Sequence, residues 1–183
     1  MLREACNEAA RWPKPIKVAV NLSAVQLKNR QLAQTVVLAL ANSGLSANRL
    51  ELEITESVFL QDNETTRAIL HEIRGLGVRI AMDDFGTGYS SLSNLQSFPF
   101  DKIKIDRSFV GAMENDDAAR SIVRAIVGIG RSLSLPVVAE GVETEAQHRM
   151  VVEEGCPQAQ GYLFGQPERL VRATGVNLAR SQG

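Results

Sequence analysis

The chain has 183 residues, of which 44% are hydrophobic and 22% charged, and its formal net charge is −1. These values are typical of a single soluble globular domain with a sizeable core. A nearly neutral chain excludes the basic field expected of a nucleic-acid-binding protein or of a protein that binds anionic membranes. An anionic substrate would therefore need a local source of positive charge at its binding site, such as a metal ion or a specific cation.

Cysteine content and hydropathy indicate a cytoplasmic protein. The chain has only two cysteines, Cys6 and Cys156, which are too few for a disulfide framework. A reducing compartment is therefore expected, and both cysteines are interpreted as small buried side chains. No apolar run approaches the length of a membrane-spanning helix, and the N-terminal residues lack the apolar region of a signal peptide.

Hydrophobic periodicity predicts strands and helices in alternation. The predicted strands are 16–22, 49–56, 78–83, 101–106, 136–140 and 158–162. The predicted helices are 2–11, 23–42, 62–77, 91–96, 116–133 and 143–154, with one more after Pro167. This alternation implies parallel strands joined by right-handed crossovers, in either an open doubly wound sheet or a (β/α) barrel.

The third predicted strand runs directly into two carboxylates, Asp83 and Asp84, which the glycine-rich loop 86–91 follows. Adjacent residues at a strand end point to opposite sides, and half-buried carboxylates are costly unless they are paired, hydrogen-bonded or bound to a cation. Two interpretations are open. Asp84 caps the following turn while Asp83 faces solvent, or both aspartates belong to a metal site.

Every predicted strand carries an ionisable or amide residue at or near its C-terminal end. In chain order these residues are Asn21, Glu53, Glu56, Asp83, Asp84, Lys104, Asp106, Glu140 and Gln160. Each one alone has an ordinary explanation as a turn or surface residue. Since the strand ends of a barrel converge on the face where barrel active sites lie, their coincidence favours a common site.

The chemistry of this set indicates a metal-dependent phosphoester hydrolase. Carboxylate and amide oxygens without clustered histidine or cysteine suit Mg²⁺ or Mn²⁺ rather than zinc. His71 and His148 lie in predicted helices and are assigned surface or packing roles. Two adjacent aspartates offer one bridging ligand and one ligand for a second ion, as a two-metal phosphoryl site requires. Lys104 could orient or deprotonate water, or hold a phosphate oxygen.

Six segments carry motifs in a fixed order. They are 20–27 (VNLSAVQL), 51–57 (ELEITES), 83–91 (DDFGTGYSS), 102–110 (KIKIDRSFV), 138–144 (VAEGVET) and 159–162 (AQGY). Together these motifs resemble the EAL family of cyclic di-GMP phosphodiesterases, over the chain from Leu2 to about Pro167. The resemblance implies an α/β fold, a TIM-like (β/α) barrel of the EAL type. Residues 1–183 would form one partial EAL domain, its C-terminal six β/α units.

The resemblance further implies hydrolysis of cyclic di-GMP to the linear dinucleotide pGpG with two Mg²⁺ or Mn²⁺ ions. The implied metal ligands are Asn21, Glu53, Asp83 (bridging), Asp84 and Glu140. The implied catalytic residues are Lys104, which positions the attacking water, Glu140 as an acid or base, and Gln160 as a supporting contact. Glu56 and Glu143 resemble residues that support the ligands, with Glu56 fixing the glycine-rich loop. Gln26 and Asp106 resemble substrate contacts.

The motif that names the family, Glu-Ala-Leu followed by arginine, is absent from this chain. Glu8-Ala9-Ala10-Arg11 is not that motif, because it matches the helix before the asparagine strand. The first two strands are expected to lie before Met1, together with a metal-ligand glutamate and a phosphate-binding arginine. Six strands cannot close an eight-stranded barrel, so exposed apolar edges and weak or absent hydrolysis are expected.

Two explanations of this departure are open. The chain is a truncated piece of a longer protein, or a natural short form that completes its sheet with another copy or a partner. Two functions are open as well, a two-metal phosphodiesterase and a catalytically impaired cyclic di-GMP receptor or interaction module. The resemblance also implies a homodimer formed through the glycine-rich loop and the helix after it. Family members often carry sensory or cyclase domains, which a longer parent protein would contain.

Overall fold

The computed structural model describes residues 1–13, 15–56, 58, 64–88 and 92–168. The helices within these residues are α1 (Leu2–Ala9), α2 (Ala24–Leu27), α3 (Leu32–Ser43), α4 (Glu64–Gly75), α5 (Leu92–Ser97), α6 (Arg107–Ala112), α7 (Asp117–Leu133) and α8 (Glu145–Glu153). The strands are β1 (Val18–Leu22), β2 (Leu50–Thr55), β3 (Arg79–Phe85), β4 (Lys102–Ile105), β5 (Val137–Ala139) and β6 (Gln158–Ala159). A 3₁₀ turn, Ala47–Arg49, precedes β2.

The six strands form one parallel sheet in the order β1-β2-β3-β4-β5-β6. Each strand lies beside its predecessor, as in a (β/α) barrel, whereas a doubly wound sheet reverses direction at a switch point. The predicted α/β architecture with parallel strands is therefore confirmed, and the barrel order is the one observed. Among the strands that the structure describes, β1 and β6 lie at open edges of the sheet.

The two faces of the sheet differ in chemistry because successive side chains of a strand point to opposite sides. One face is apolar and fully buried, and its central members are Leu50, Leu52, Ile54, Ile80, Met82, Ile103 and Ile105. The other face carries charge on the two strands that flank β3. Its charged members on β2 and β4 are Glu51, Glu53, Lys102 and Lys104. The sheet thus separates a hydrophobic core from a charged face that leads to the strand ends.

Several predicted boundaries shift for local reasons. The predicted helix 23–42 is two helices, because the side chain of Asn29 accepts a hydrogen bond from the backbone of Gln31 and forms a turn between them. Helix α3 ends as predicted at Gly44, whose φ of 70° suits glycine. Strand β6 is shorter than predicted. The helix predicted after Pro167 falls almost wholly outside the described residues.

Two other sequence-based expectations concern cysteines and hydropathy. Cys6 and Cys156 are free and buried, as predicted. Across the described ranges, none of the helices combines the length and the apolar character that crossing a bilayer requires.

A charge cluster joins α7 to the end of α8. The buried carboxylate of Glu154 lies 2.5 Å from Nε of Arg120 and 2.6 Å from Nε of Arg124. Hydrogen bonds from Arg124 and Arg120 lower the pKa of Glu154 to about 2, from an ordinary 4.5. A depressed folded-state pKa stabilises the fold above the unfolded pKa, and this contribution is lost as the pH falls from about 4.5 towards 2.

We therefore expect Glu154→Gln to reduce the free energy of unfolding at pH 7 by on the order of 1 kcal/mol after solvent screening. The difference from wild type should shrink between pH 4.5 and pH 2. Denaturant titrations at several pH values measure it. Glu153→Gln is the matched control, because its exposed carboxylate contacts Arg120 alone and should change little. A difference that is independent of pH would contradict this account.

Candidate metal and active site

An ammonium group surrounded by carboxylates lies at the C-terminal end of the sheet. Nζ of Lys104 is 2.8 Å from Oε1 of Glu53, 3.0 Å from Oδ1 of Asp83 and 2.5 Å from Oε1 of Glu140. The Lys104, Glu53 and Asp83 residues are each more than nine-tenths buried, and Glu140 is half-buried. Four strand ends, far apart in sequence, thus meet around one cation.

Strand register explains how these side chains meet. Glu53 on β2 lies beside Ala81 on β3, and Lys104 on β4 lies beside Val138 on β5. The side chain of Lys104 spans β3 to reach Glu53, and Ala81 on β3 lies beside Glu53 on one side and Lys102 on the other. Glu140 follows β5 directly, and its backbone N–H donates to the carbonyl of Ile105 at 3.2 Å.

The two adjacent aspartates turn towards the same site because β3 is irregular at its end. The pairing of β3 with β4 shifts register between Met82 and Phe85. Asp84 has a φ of 55°, a left-handed conformation that non-glycine residues rarely adopt. Oxygen atoms of Asp83, Asp84 and Glu140 consequently lie within 4.8 Å of one another. The geometry resembles a cation site and differs from the alternative in which Asp83 faces solvent.

The site holds more negative than positive charge. Burial raises the pKa of Asp84, and the neighbouring charges of Asp83 and Asp106 raise it further. Burial also raises the pKa of Glu140; the contact with Lys104 opposes that rise and the charge of Asp83 adds to it. Burial disfavours the ammonium of Lys104, yet hydrogen bonds to Glu140 and Glu53 outweigh burial, so its pKa is raised. Lys104 is therefore a permanent cation.

The donor set fits divalent cations of the Mg²⁺ or Mn²⁺ type. Four carboxylates, those of Glu53, Asp83, Asp84 and Glu140, share the single positive charge of Lys104. Oδ1 of Asp83 is buried, and it is paired with Nζ of Lys104 at 3.0 Å. Hard cations bind carboxylate oxygens, and buried carboxylates that outnumber the cations beside them are groups that such a cation would stabilise.

Glu56 and Asp106 organise the loops beside this site. Oε2 of Glu56 accepts hydrogen bonds from the backbone N–H groups of Gly86 and Gly88, at 3.0 and 3.1 Å. Asp106 caps α6, because its Oδ1 accepts from the backbone N–H and the hydroxyl of Ser108. Burial would raise the pKa of Asp106, but the hydrogen bonds from Ser108 and the contact with Asp84 lower it.

The remaining sequence-predicted residues lie at the same end of the sheet, and none of them is among the ion-pair partners of Lys104 that the structure describes. Asn21 is exposed and lies beside Glu53 in the β1–β2 register. Gln160 is exposed, and its backbone joins β5 to the next loop through Ala139 and Val142. Gln26 closes a capping box with Ser23 at the start of α2. Glu143 is exposed just before α8.

A second ion pair on the same face was not predicted. Nζ of Lys102 lies 2.6 Å from Oε1 of Glu51, which is buried, and this pair also spans β3. Lys102 and Glu51 lie two positions before Lys104 and Glu53. Because side chains two positions apart on a strand point to the same face, the sequence alone could have indicated this second pair. The pair repeats the Lys104–Glu53 contact one layer deeper in the sheet.

The chain that carries this site is similar to known proteins of one family. A model described as the EAL domain matches residues 1–167. An uncharacterized signaling protein of Caulobacter vibrioides is 57% identical over 167 residues, which are 91% of this chain and 21% of that protein. The bifunctional diguanylate cyclase/cyclic di-GMP phosphodiesterase MucR of Pseudomonas aeruginosa is 43% identical over 91% of this chain and 25% of its own length. The chain thus spans about a fifth to a quarter of these relatives.

Solved structures agree with the sequence matches. The phosphodiesterase PaMucR in complex with c-di-GMP superposes with a TM-score of 0.87 at 43% identity, covering 91% of this chain and 69% of that one. Klebsiella pneumoniae BlrP1 in a manganese/cy-diGMP complex superposes with a TM-score of 0.83 at 31% identity, covering 90% of this chain and 43% of that one.

Proposed function

The chain belongs to the EAL domain family, and from this membership we propose that it is a phosphodiesterase that hydrolyses cyclic di-GMP to pGpG. The observation that carries the proposal is the cluster of Glu53, Asp83 and Glu140 around Lys104, with Asp84 beside it. These side chains come from four strand ends and converge where barrel enzymes place their chemistry. The resemblance to a phosphodiesterase crystallised with c-di-GMP supports the substrate.

Two Mg²⁺ or Mn²⁺ ions are proposed as cofactors, held by Asn21, Glu53, Asp83, Asp84 and Glu140, with Asp83 as the bridging ligand. Such ions would supply charge stabilisation at the phosphate and an activated water. The buried carboxylate of Asp83 has an oxygen atom within 4.8 Å of oxygen atoms of Asp84 and Glu140, which supports its role as a metal ligand. The exposure of Asn21 beside Glu53 leaves its amide oxygen accessible to a ligand.

Lys104, Glu140 and Gln160 are proposed to perform the remaining steps of the reaction. Lys104 stays protonated among three carboxylates, so it would donate a hydrogen bond that orients water or a phosphate oxygen rather than abstract a proton. The raised pKa of Glu140 makes this carboxyl group the candidate for proton transfer. Gln160 is proposed as a supporting contact near Lys104.

The outer residues hold this arrangement and contact substrate. Glu56 restrains the loop after Asp84 through two backbone hydrogen bonds, and Glu143 is proposed to support the loop that carries Glu140. Asp106 and Gln26 are proposed as substrate contacts. The side chain of Asp106 adjoins Asp84, and Gln26 begins the helix that follows β1.

The second candidate function is a cyclic di-GMP receptor that binds without turnover. One observation favours it. Asn21, one of the proposed ligands, is exposed at the end of β1, so this side of the site is open to solvent. Catalysis needs closely held ligands, whereas binding tolerates a looser site. A chain of this kind would bind the dinucleotide and release it intact.

Residues 1–183 are proposed to act as one EAL domain, as a homodimer and in the cytoplasm. Two buried free thiols, Cys6 and Cys156, agree with a reducing compartment. MucR shows that a relative carries a diguanylate cyclase function as well, so sensory or cyclase domains are proposed for a longer parent protein. Light scattering over a range of chain concentrations tests the dimer, which fails if the mass remains that of one chain.

The deciding experiment separates the two candidate functions. The purified chain is incubated with cyclic di-GMP and Mn²⁺, pGpG is followed by chromatography, and calorimetry with Ca²⁺ measures binding. Metal-dependent pGpG formation that EDTA abolishes supports the phosphodiesterase. Binding without product supports the receptor instead. If the chain neither binds nor cleaves cyclic di-GMP, both proposals are wrong.

A further inference from the structure

The loops at the catalytic end of the sheet are almost free of cations. The segments that follow β2 to β6 are 56–63, 86–91, 106–116, 140–144 and 160–168, and Arg107 is their only lysine or arginine. The segment after β1 contains Lys28 and Arg30, which lie beyond α2. Within the described ranges, Arg107 is therefore the basic residue, apart from Lys104, that directly adjoins a residue of the acidic site.

The structure leaves the guanidinium of Arg107 available. Arg107 is exposed and opens α6, immediately after Asp106. Within the part of the chain that the structure describes, it has no ion pair or hydrogen bond from its side chain. Its positive charge is among the influences that lower the pKa of the adjacent Asp106.

The stem of Arg107 is held against the loop that carries Glu140. A Cβ atom added to Gly141 would lie 2.4 Å from the Cβ atom of Arg107, and Gly141 has a φ of 68°. The two loops therefore touch at their backbones, and only glycine fits at position 141. The backbone and Cβ atom of Arg107, which directly follows Asp106, therefore lie against the loop that follows Glu140.

This placement meets a requirement of the substrate. Cyclic di-GMP carries two phosphodiester groups, each with one negative charge, and a metal centre engages the group that is cleaved. The carboxylates of Asp84 and Asp106 at the rim of the site would repel the other group, so a cation at this rim would stabilise it. Guanidinium binds phosphate through paired hydrogen bonds and keeps its charge at any physiological pH.

Resting on the function proposed above, we infer that Arg107 binds the second phosphodiester of cyclic di-GMP, the one that is not cleaved. Arg107 is thus a substrate-binding residue that the family resemblance did not supply. Its loss should weaken binding of a substrate with two phosphodiesters. It should leave untouched a substrate with one.

The test compares Arg107→Gln with wild type on two substrates. Calorimetry with Ca²⁺ should show about 10-fold weaker binding of cyclic di-GMP, as expected for one lost hydrogen-bonded charge contact, and Arg107→Lys should recover part of it. Cleavage of bis(p-nitrophenyl) phosphate with Mn²⁺, a substrate with a single phosphodiester, should be unchanged. Arg149→Gln removes an exposed arginine from α8 and is the matched control.

Each other outcome has a definite meaning. If Arg107→Gln binds cyclic di-GMP like wild type or like Arg149→Gln, the inference is wrong while the proposed function stands. An equal loss on both substrates shows general damage to the site and also overturns the inference. If the wild-type chain neither binds cyclic di-GMP nor cleaves either substrate, the proposed function fails and this inference fails with it.

Discussion

Lys104→Met is expected to reduce the free energy of unfolding of the metal-free chain by about 3–5 kcal/mol, because it leaves buried carboxylates without their cation. The ammonium contacts Glu53, Asp83 and Glu140 at 2.5 to 3.0 Å. Added Mn²⁺ should restore much of this loss, since a divalent cation can take over the neutralisation and binds only the folded chain. The midpoint of thermal unfolding, measured in EDTA and in Mn²⁺, reports both effects.

The control for this prediction is Lys102→Met. Lys102 has the same geometry one layer deeper, but its ion-pair partner is the single carboxylate of Glu51. This variant should also be destabilised, and Mn²⁺ should not restore it beyond the wild-type response. A Lys104→Met chain that unfolds like wild type in EDTA, or that gains no more from Mn²⁺ than Lys102→Met does, would contradict the proposed cation site.

Asp83→Asn is expected to weaken Mn²⁺ binding and to lower any turnover of cyclic di-GMP by at least about 100-fold, because even residues that only support metal ligands cost 10- to 100-fold. The change keeps the size of a buried side chain and removes the charge proposed to lie between two ions. Binding isotherms for Mn²⁺ and chromatography of pGpG measure the two effects.

Asp101→Asn is the matched control for Asp83→Asn. Asp101 precedes β4 at the opposite end of the sheet, where its carboxylate lies 3.0 Å from the guanidinium of Arg74. This variant should bind Mn²⁺ like wild type, and circular dichroism should show that both variants fold. Mn²⁺ affinity within a few-fold of wild type in Asp83→Asn would refute the assignment of Asp83 as a ligand.

The class of fold could be predicted from the sequence, because hydrophobic periodicity and segment length indicate whether a segment forms a strand or a helix. Buried parallel strands have continuous apolar sequences, such as Ile80–Met82. Helix-length segments between successive strands indicate that those strands are parallel. Alternation by itself also fits a doubly wound sheet; the resemblance to the EAL family implied a barrel, and the observed strand order agrees with it. Helix α6 was missed because six residues are too few for a periodic pattern, and its start depends on the cap that Asp106 supplies.

The site was predicted as a list of residues and not as a geometry. The position of Asp83 and Lys104 at strand ends is visible in sequence, and so is the oxygen-rich chemistry of the set. The turn of Asp84 towards Asp83 depends on a register shift between β3 and β4, and the contact between Lys104 and Glu53 depends on how three neighbouring strands pair. Such features come from pairing between strands, which no local pattern encodes.

The measurement that tests the central claim most directly is a titration of the purified chain with Mn²⁺, followed by the paramagnetic resonance signal of the free ion. The strand-end carboxylates are proposed to hold two divalent cations, so the free signal should be suppressed until two ions per chain are bound. The suppression should be largely lost in Asp83→Asn and retained in Asp101→Asn. A free-ion signal that rises from the first addition as in buffer alone, or equally in all three chains, would contradict the account.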